Sequence, residues 1–211
     1  MKLLELFSGT GSMGKVFKEN GWTVVSLDRD MDADIKTDIM DWDYKAMYEP
    51  CSFDVLWTSP PCTEYSVAKT VGVRKLDEAN QVVQRTLEII DYFQPKFWFL
   101  ENPQTGLLKS QPMMQDQPFT DVDYCSYGMP YRKRTRIWNN LTSWEARPLC
   151  RRDCESMLDN KRRHKQVAQR GIKGANEDRR QNFRQDELYR IPAPLVEEIE
   201  QALHRSFVDS Q

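Results

Sequence analysis

Cys62 follows two consecutive prolines in Ser59-Pro60-Pro61-Cys62. Proline fixes φ, so this thiol sits on a segment with little conformational entropy left to lose. A carboxylate comes later, in Glu101-Asn102-Pro103. Each group follows an apolar run that reads as a strand, residues 53–58 before the first and 97–100 before the second. In a parallel sheet such strand ends open on one edge, where ligands bind. A thiolate beside an acid is the pair needed to add a nucleophile across a pyrimidine ring. Taken singly the residues are less specific. Cys62 could be a buried structural thiol, and Glu101 could cap a helix.

A third feature belongs to the same edge. Ser8-Gly9-Thr10-Gly11 lies between a strand at 3–7 and a helix at 12–20, and Asp28 ends the next strand, 22–27. Glycine lets backbone approach a ligand closely, and Asp28 can accept hydrogen bonds from ribose hydroxyls. The third glycine of the dinucleotide fingerprint is missing, which disfavours a nicotinamide cofactor. A tight turn without a ligand remains an alternative reading of the turn alone.

The elements that must position these groups alternate between strand and helix. Ala79, Val83, Leu87, Ile90 and Phe93 recur every three or four residues, so 76–94 reads as an amphipathic helix. Strands are expected at 121–127 and 135–138, and a last helix at 194–207. The pattern predicts an α/β sandwich with a mostly parallel sheet. With 211 residues, 39% hydrophobic and 29% charged, the chain is expected to form one globular domain. No apolar run approaches the roughly 20 residues that span a bilayer, and the first residues lack the pattern of a signal peptide. Five cysteines, an odd number, suggest reduced thiols and a cytoplasmic setting.

Charge is uneven along the chain. Residues 1–129 hold 12 Lys+Arg against 20 Asp+Glu, residues 130–190 hold 17 against 8, and residues 191–211 hold 1 against 4. The basic stretch suggests contact with a polyanion, although a solvated Arg-rich face would have the same composition.

Together the motifs resemble the cytosine-5 DNA methyltransferase family over nearly the whole chain. Leu4-Glu5-Leu6-Phe7-Ser8-Gly9-Thr10-Gly11 resembles the family's first motif. Asp28 falls at its ribose-binding acid, and Asp38-Ile39 at its adenine-binding pair. Pro61-Cys62 matches the nucleophile motif, with Ser66 at a downstream serine, and Glu101-Asn102 matches its Glu-Asn. Tyr127-Gly128-Met129-Pro130 followed by Arg134-Thr135-Arg136-Ile137 resembles its Arg-x-Arg motif. Tyr131-Arg132-Lys133 is similar to small phage- and virus-encoded members.

The resemblance implies a Rossmann-like class I methyltransferase fold that uses S-adenosyl-L-methionine and acts on nucleic acid, by default DNA, with the target base flipped or unpaired. Cys62 would attack carbon 6 of cytosine. Protonated Glu101 would hydrogen-bond ring nitrogen 3. Arg136 would hold the base carbonyl and orient Glu101, with Arg134 and Ser66 nearby on the substrate side. Phe7, Gly9, Thr10, Gly11, Asp28, Asp38, Ile39 and Pro61 would hold the cofactor. No metal is required.

The chain departs from the family pattern in places. Arg29 stands where some members place an aromatic, and Pro103 replaces a valine. One extra residue precedes Arg134 and the usual glutamine is absent. The last motif is reduced to Arg190-Ile191-Pro192-Ala193-Pro194. The expected domains are a catalytic unit at 1–140, a reduced basic recognition segment at 141–190, and a C-terminal helix returning to the catalytic unit at 191–211. In that segment Arg162 and Arg163, with Arg151, Arg152, Lys161 and Lys165, are candidates for phosphate contact. Cys150, Cys154 and His164 have a spacing permitted for zinc. They lack an obvious fourth ligand and are read as free thiols and a histidine in a loop-rich segment. Four alternatives stay open: an RNA substrate, transfer to an exocyclic base amine, a chain that depends on a partner protein for recognition, and an inactive binding homologue. Transfer to an amine fits poorly, because Cys62 stands where such enzymes carry an aromatic.

Overall fold

The computed structural model describes residues 1–159, 162–166 and 190–209. Seven strands form one sheet: β1 (Lys2–Leu6), β2 (Thr23–Asp28), β3 (Ile35–Lys36), β4 (Val55–Thr58), β5 (Phe97–Pro103), β6 (Phe119–Asp123) and β7 (Arg134–Asn139). Their order is β3-β2-β1-β4-β5-β7-β6. The first five are parallel to their neighbours. β7 runs antiparallel between β5 and β6.

Both faces are covered, which is why the central strands read as nearly continuous apolar runs. Alternate residues go to opposite sides. Leu3, Trp57 and Phe99 join α1 (Ser12–Glu19) and α4 (Ala193–Val208) in one core. Leu4, Leu6 and Leu56 join α3 (Leu76–Phe93) on the other face, where Tyr44 of the short α2 (Tyr44–Met47) also packs. α4 returns to the start of the chain: Glu200 Oε1 accepts a bond of 2.9 Å from Trp22 Nε1, and Phe207 meets Trp22 and Phe97 edge-on.

Two boundaries differ from the expected elements, and two short elements were not expected. β5 continues through Glu101 to Pro103, because β7 pairs along it as far as Pro103 opposite Thr135. β6 stops at Asp123, and residues 124–127 form a 3-10 turn closed by Gly128 at φ 86°. β3 and α2, two and four residues long, are too short to show a period.

Beyond Trp144 the chain lies along the β6–β7 side. Leu158 N donates to Arg163 O (3.0 Å) and Lys165 N to Ser156 O (2.8 Å), a narrow hairpin. It docks on the turn before β7 through Ser156 Oγ to Met129 O (2.8 Å) and Gln166 N to Pro130 O (3.2 Å). Lys161 and most of the remaining basic segment, residues 167–189, lie outside the described residues.

Candidate active site

The chain runs outward from β1 through β2 to β3, then returns to β4 on the other side of β1. The reversal leaves a crevice beyond the carboxyl ends of β1 and β4. A cavity of about 640 Å³ fills it, within the range of small-molecule sites. Phe7, Gly9, Thr10, Asp28, Asp38, Ile39, Pro61, Cys62 and Glu101 all line it.

The Gly turn is held by its own acid. Asp28 Oδ2 accepts from Gly9 N, and its Oδ1 accepts from Asp30 N and Met31 N, each at 2.9 Å. Gly9 (φ 53°) and Gly11 (φ 68°) take left-handed backbone that glycine accepts without a steric cost. Phe7 (φ 56°) takes it as a strained non-glycine. Gly11 is not in the cavity wall; it stands at the start of α1. Asp38 accepts from Met40 N (3.0 Å) and pairs with Arg29 (3.2 Å), so Arg29 stands over the expected adenine end.

Glu5, Ser8 and Ile191, quoted in the sequence only as parts of motifs and given no role, also line the cavity. Glu5 is buried in β1 and its Oε2 accepts from Gly14 N at 3.0 Å. It satisfies an orphan N–H of α1, which has no side-chain cap of its own. Burial pushes its carboxyl up to about 7, against the lowering effect of the Gly14 and Met13 N–H groups and Lys18. Ile191 shows that the reduced last motif still reaches the cavity, tied by Ile191 N to Ser12 Oγ at 3.3 Å.

At the other end of the cavity Cys62 and Glu101 are brought together. The buried Asn102 donates from Nδ2 to Pro60 O (2.9 Å), which locks the Pro-Pro turn to β5. The side chain on Glu101 is not Arg136. Lys133 Nζ lies 3.3 Å from Glu101 Oε1, and Tyr124 Oη donates to the same oxygen at 3.1 Å. Burial pushes the Cys62 thiol above its ordinary range. Lys133 opposes that shift and Glu101 adds to it.

Arg136, expected to orient Glu101, and Arg134, expected on the substrate side, both face elsewhere. Alternation on β7 puts Arg134 and Arg136 on one side of the strand. Arg134 pairs with the fully buried Asp123 (2.7 Å) and Arg136 with Asp121 (2.8 Å), both through two nitrogens. Arg136 also stacks over Phe119, 3.4 Å from its centroid. Neither arginine lines the cavity. Ser66 is also outside it, accepting from Ala68 N at 3.2 Å. Arg162 and Arg163 are exposed on the hairpin.

The cavity wall suits a cationic nucleoside. It carries Glu5, Asp28, Asp30, Asp38 and Glu101 against Arg29 and Lys133. Ser8 Oγ is buried there without a hydrogen-bond partner among the described residues. These features fit S-adenosyl-L-methionine, whose sulfonium is positive.

The strand order, the acid-bound Gly turn and the cavity at the reversal define the class as a Rossmann-like methyltransferase. Residues 1–132 match the family described as C-5 cytosine-specific DNA methylase. The chain belongs to that family. It is 32% identical over 218 residues to the "Probable DNA (cytosine-5)-methyltransferase" of Frog virus 3 (isolate Goorha), covering 94% of this chain and 98% of that protein. This bears out the likeness to small virus-encoded members. It is 26% identical over 166 residues to the type II methyltransferase M.AgeI of Thalassovita gelatinovora, covering 64% of this chain but 38% of that enzyme. A crystal structure described as a DNA modification methyltransferase encoded within an E. coli prophage superposes with a TM-score of 0.52 at 15% identity. That match covers 71% of this chain and 52% of the other, and supports the fold. No helix among the described residues is long and apolar enough to cross a membrane.

Proposed function

We propose that this cavity transfers a methyl group from S-adenosyl-L-methionine to carbon 5 of cytosine in DNA, with Cys62 as covalent nucleophile. The observation that carries this reading is the placement of Cys62, Glu101 and Lys133 at one end of an acidic cavity whose other end is the Gly turn.

The bound cofactor supplies an electrophilic methyl group on a sulfonium. Asp28 and the Gly9 backbone would hold its nucleoside portion, and the acidic wall would favour its charge. At the base end, the Cys62 thiolate forms a bond to carbon 6 of an extruded cytosine. Glu101 gives a proton to ring nitrogen 3 as electrons move toward carbon 5. Carbon 5 becomes nucleophilic and would take the methyl group as its bond to sulfur breaks, leaving a neutral thioether. Loss of the carbon-5 proton to solvent then restores the double bond, the S–C6 bond breaks to release the Cys62 thiolate, and the proton on ring nitrogen 3 returns to Glu101. Lys133 favours the thiolate and steadies the Glu101 carboxyl before the base arrives.

The test is transfer of labelled methyl groups into DNA and RNA, followed by nucleoside analysis. Label in 5-methylcytosine of DNA is expected. DNA containing 5-fluorocytosine should trap a denaturation-resistant adduct, because fluorine cannot leave as a cation. Cys62→Ser should lose both transfer and adduct while keeping cofactor affinity within a few-fold. Near-normal turnover in that variant would overturn the covalent mechanism. The short interval between Arg136 and Ile191 favours a second reading, in which a partner protein supplies target recognition. Activity of the pure chain on duplex DNA would exclude it.

A further inference from the structure

Outside the cavity, four metal-ligating side chains converge. Cys125 lies in the 3-10 turn after β6, Cys150 in the irregular segment beyond Trp144, Cys154 just before the docked hairpin and His164 on it. Their ligand atoms all lie within 4.8 Å of one another. We propose that these residues form a closed Cys3His zinc site that fixes the basic segment onto the catalytic unit.

The geometry is that of a tetrahedral site. Zn–S and Zn–N bonds of about 2.3 and 2.0–2.1 Å put the edges of such a tetrahedron at roughly 3.6–3.8 Å. Cys150 Sγ and His164 Nε2 are 3.5 Å apart, and the widest pair needs to close by about 1 Å. All four cysteine and histidine groups are buried or half-buried, and Cys150 and Cys154 enclose a three-residue turn. Arg152, at φ 68° in that turn, donates its N–H to Cys150 Sγ at 3.3 Å. N–H groups aimed at sulfur favour the thiolate, the form that binds metal. With the pairs Cys150–Cys154 and Cys125–His164 on one centre, no ligand position is left for water, so the site is structural.

The surrounding structure supplies the reason. Among described residues 145–166, the only buried hydrophobic side chains are Cys150 and Met157. That is too little core to hold a segment by packing. A disulfide between Cys150 and Cys154 would leave His164 and Cys125 without a purpose. Binding Zn2+ transfers three thiol protons to solvent and leaves a centre of charge −1. Arg152, in the turn between Cys150 and Cys154, offsets it. Cys150 N also donates to Asp123 (3.1 Å), the partner of Arg134. The centre is thereby linked to the strand that carries the Arg-x-Arg motif.

The chain purified under reducing conditions, without chelator or histidine tag, should contain one zinc ion as measured by plasma mass spectrometry. Exchange with Co2+ should produce thiolate-to-cobalt charge transfer and the intense visible bands of a tetrahedral ion. Cys125→Ser and His164→Ala should each lose most of the metal. Cys51→Ser, at an exposed thiol outside the cluster, should keep all of it. A ligand substitution can unfold the segment as well as remove the metal, so stripped wild type provides a second test. Adding zinc should slow amide exchange in residues 150–159 and 162–166. A wild-type chain that neither carries zinc nor gives a tetrahedral cobalt spectrum would overturn the proposal. So would a Cys150–Cys154 disulfide in the freshly reduced and re-isolated chain, or zinc that stays bound after both ligand substitutions.

Discussion

Two carboxylate contacts decide the chemistry at the scale of single residues. Glu101 shares one oxygen between Lys133 and Tyr124, and Lys133 is also the cation acting on Cys62. The chain therefore places a lysine where the family pattern led to an arginine. Lys133→Met should lower methyl transfer by roughly a hundredfold, the scale of losing one preorganised polar group. It should also move alkylation of Cys62 by iodoacetamide to higher pH, since the opposing burial and Glu101 effects remain. An unchanged alkylation profile would remove Lys133 from the site. Asp28→Ala should weaken S-adenosyl-L-methionine by about tenfold or more, the cost of hydrogen bonds to a charged group. Calorimetry that finds unchanged affinity would show that Asp28 only braces the turn.

At the scale of elements, the Gly turn depends on a strand residue. Glu5 of β1 reaches beneath α1, and Gly14 leaves it room: a Cβ at Gly14 would meet Glu5 Oε2 at 2.5 Å. The folded-state carboxyl stands near 7, above the ordinary 4.5. A raised carboxyl contributes its full stability below the unfolded value and loses it as pH rises through the folded one. Stability should therefore fall between pH about 4.5 and 7 by on the order of 1–3 kcal/mol. Urea unfolding of Glu5→Gln at both ends of that window should show a flatter dependence than wild type. Equal slopes would mean that Glu5 is not the group responsible. The same element explains why the turn was legible before the structure: a strand, two glycines and a helix are contiguous, and their periods are local. The acid that braces α1 was hidden inside an apolar strand.

Among the described residues, charge is polarised across the molecule. The cavity wall is acidic, while the exposed hairpin beside the Arg-x-Arg strand carries Arg162, Arg163 and Lys165. A polyanion would be drawn to the hairpin side, with phosphate contacts that carry no sequence information. Each neutralised phosphate adds about −0.9 to the slope of log affinity against log salt on duplex DNA. Arg162→Ala with Arg163→Ala should flatten that slope by about one to two units and weaken different sequences alike. An unchanged slope would leave these side chains as a solvated face. Strong preference of the wild type for one short sequence would make the segment a base reader instead.

The sequence by itself determined the parallel sheet, the ligand edge and the placement of Gly9, Asp28, Pro61, Cys62 and Glu101 along it, because each is announced within a few positions by a strand end or a turn. Tertiary structure decided the rest. Arg134 and Arg136 were absorbed by Asp121 and Asp123 because antiparallel pairing of β6 with β7 sets the carboxylates opposite them. Lys133 took Glu101 because the strand continued to Pro103. Cys150, Cys154 and His164 lacked a fourth ligand in the sequence, since Cys125 lies 25 positions before the nearest of them. Only the docking of the hairpin on the turn after β6 brings it into reach. Contacts set by register and docking join residues distant along the chain, and no local period records them.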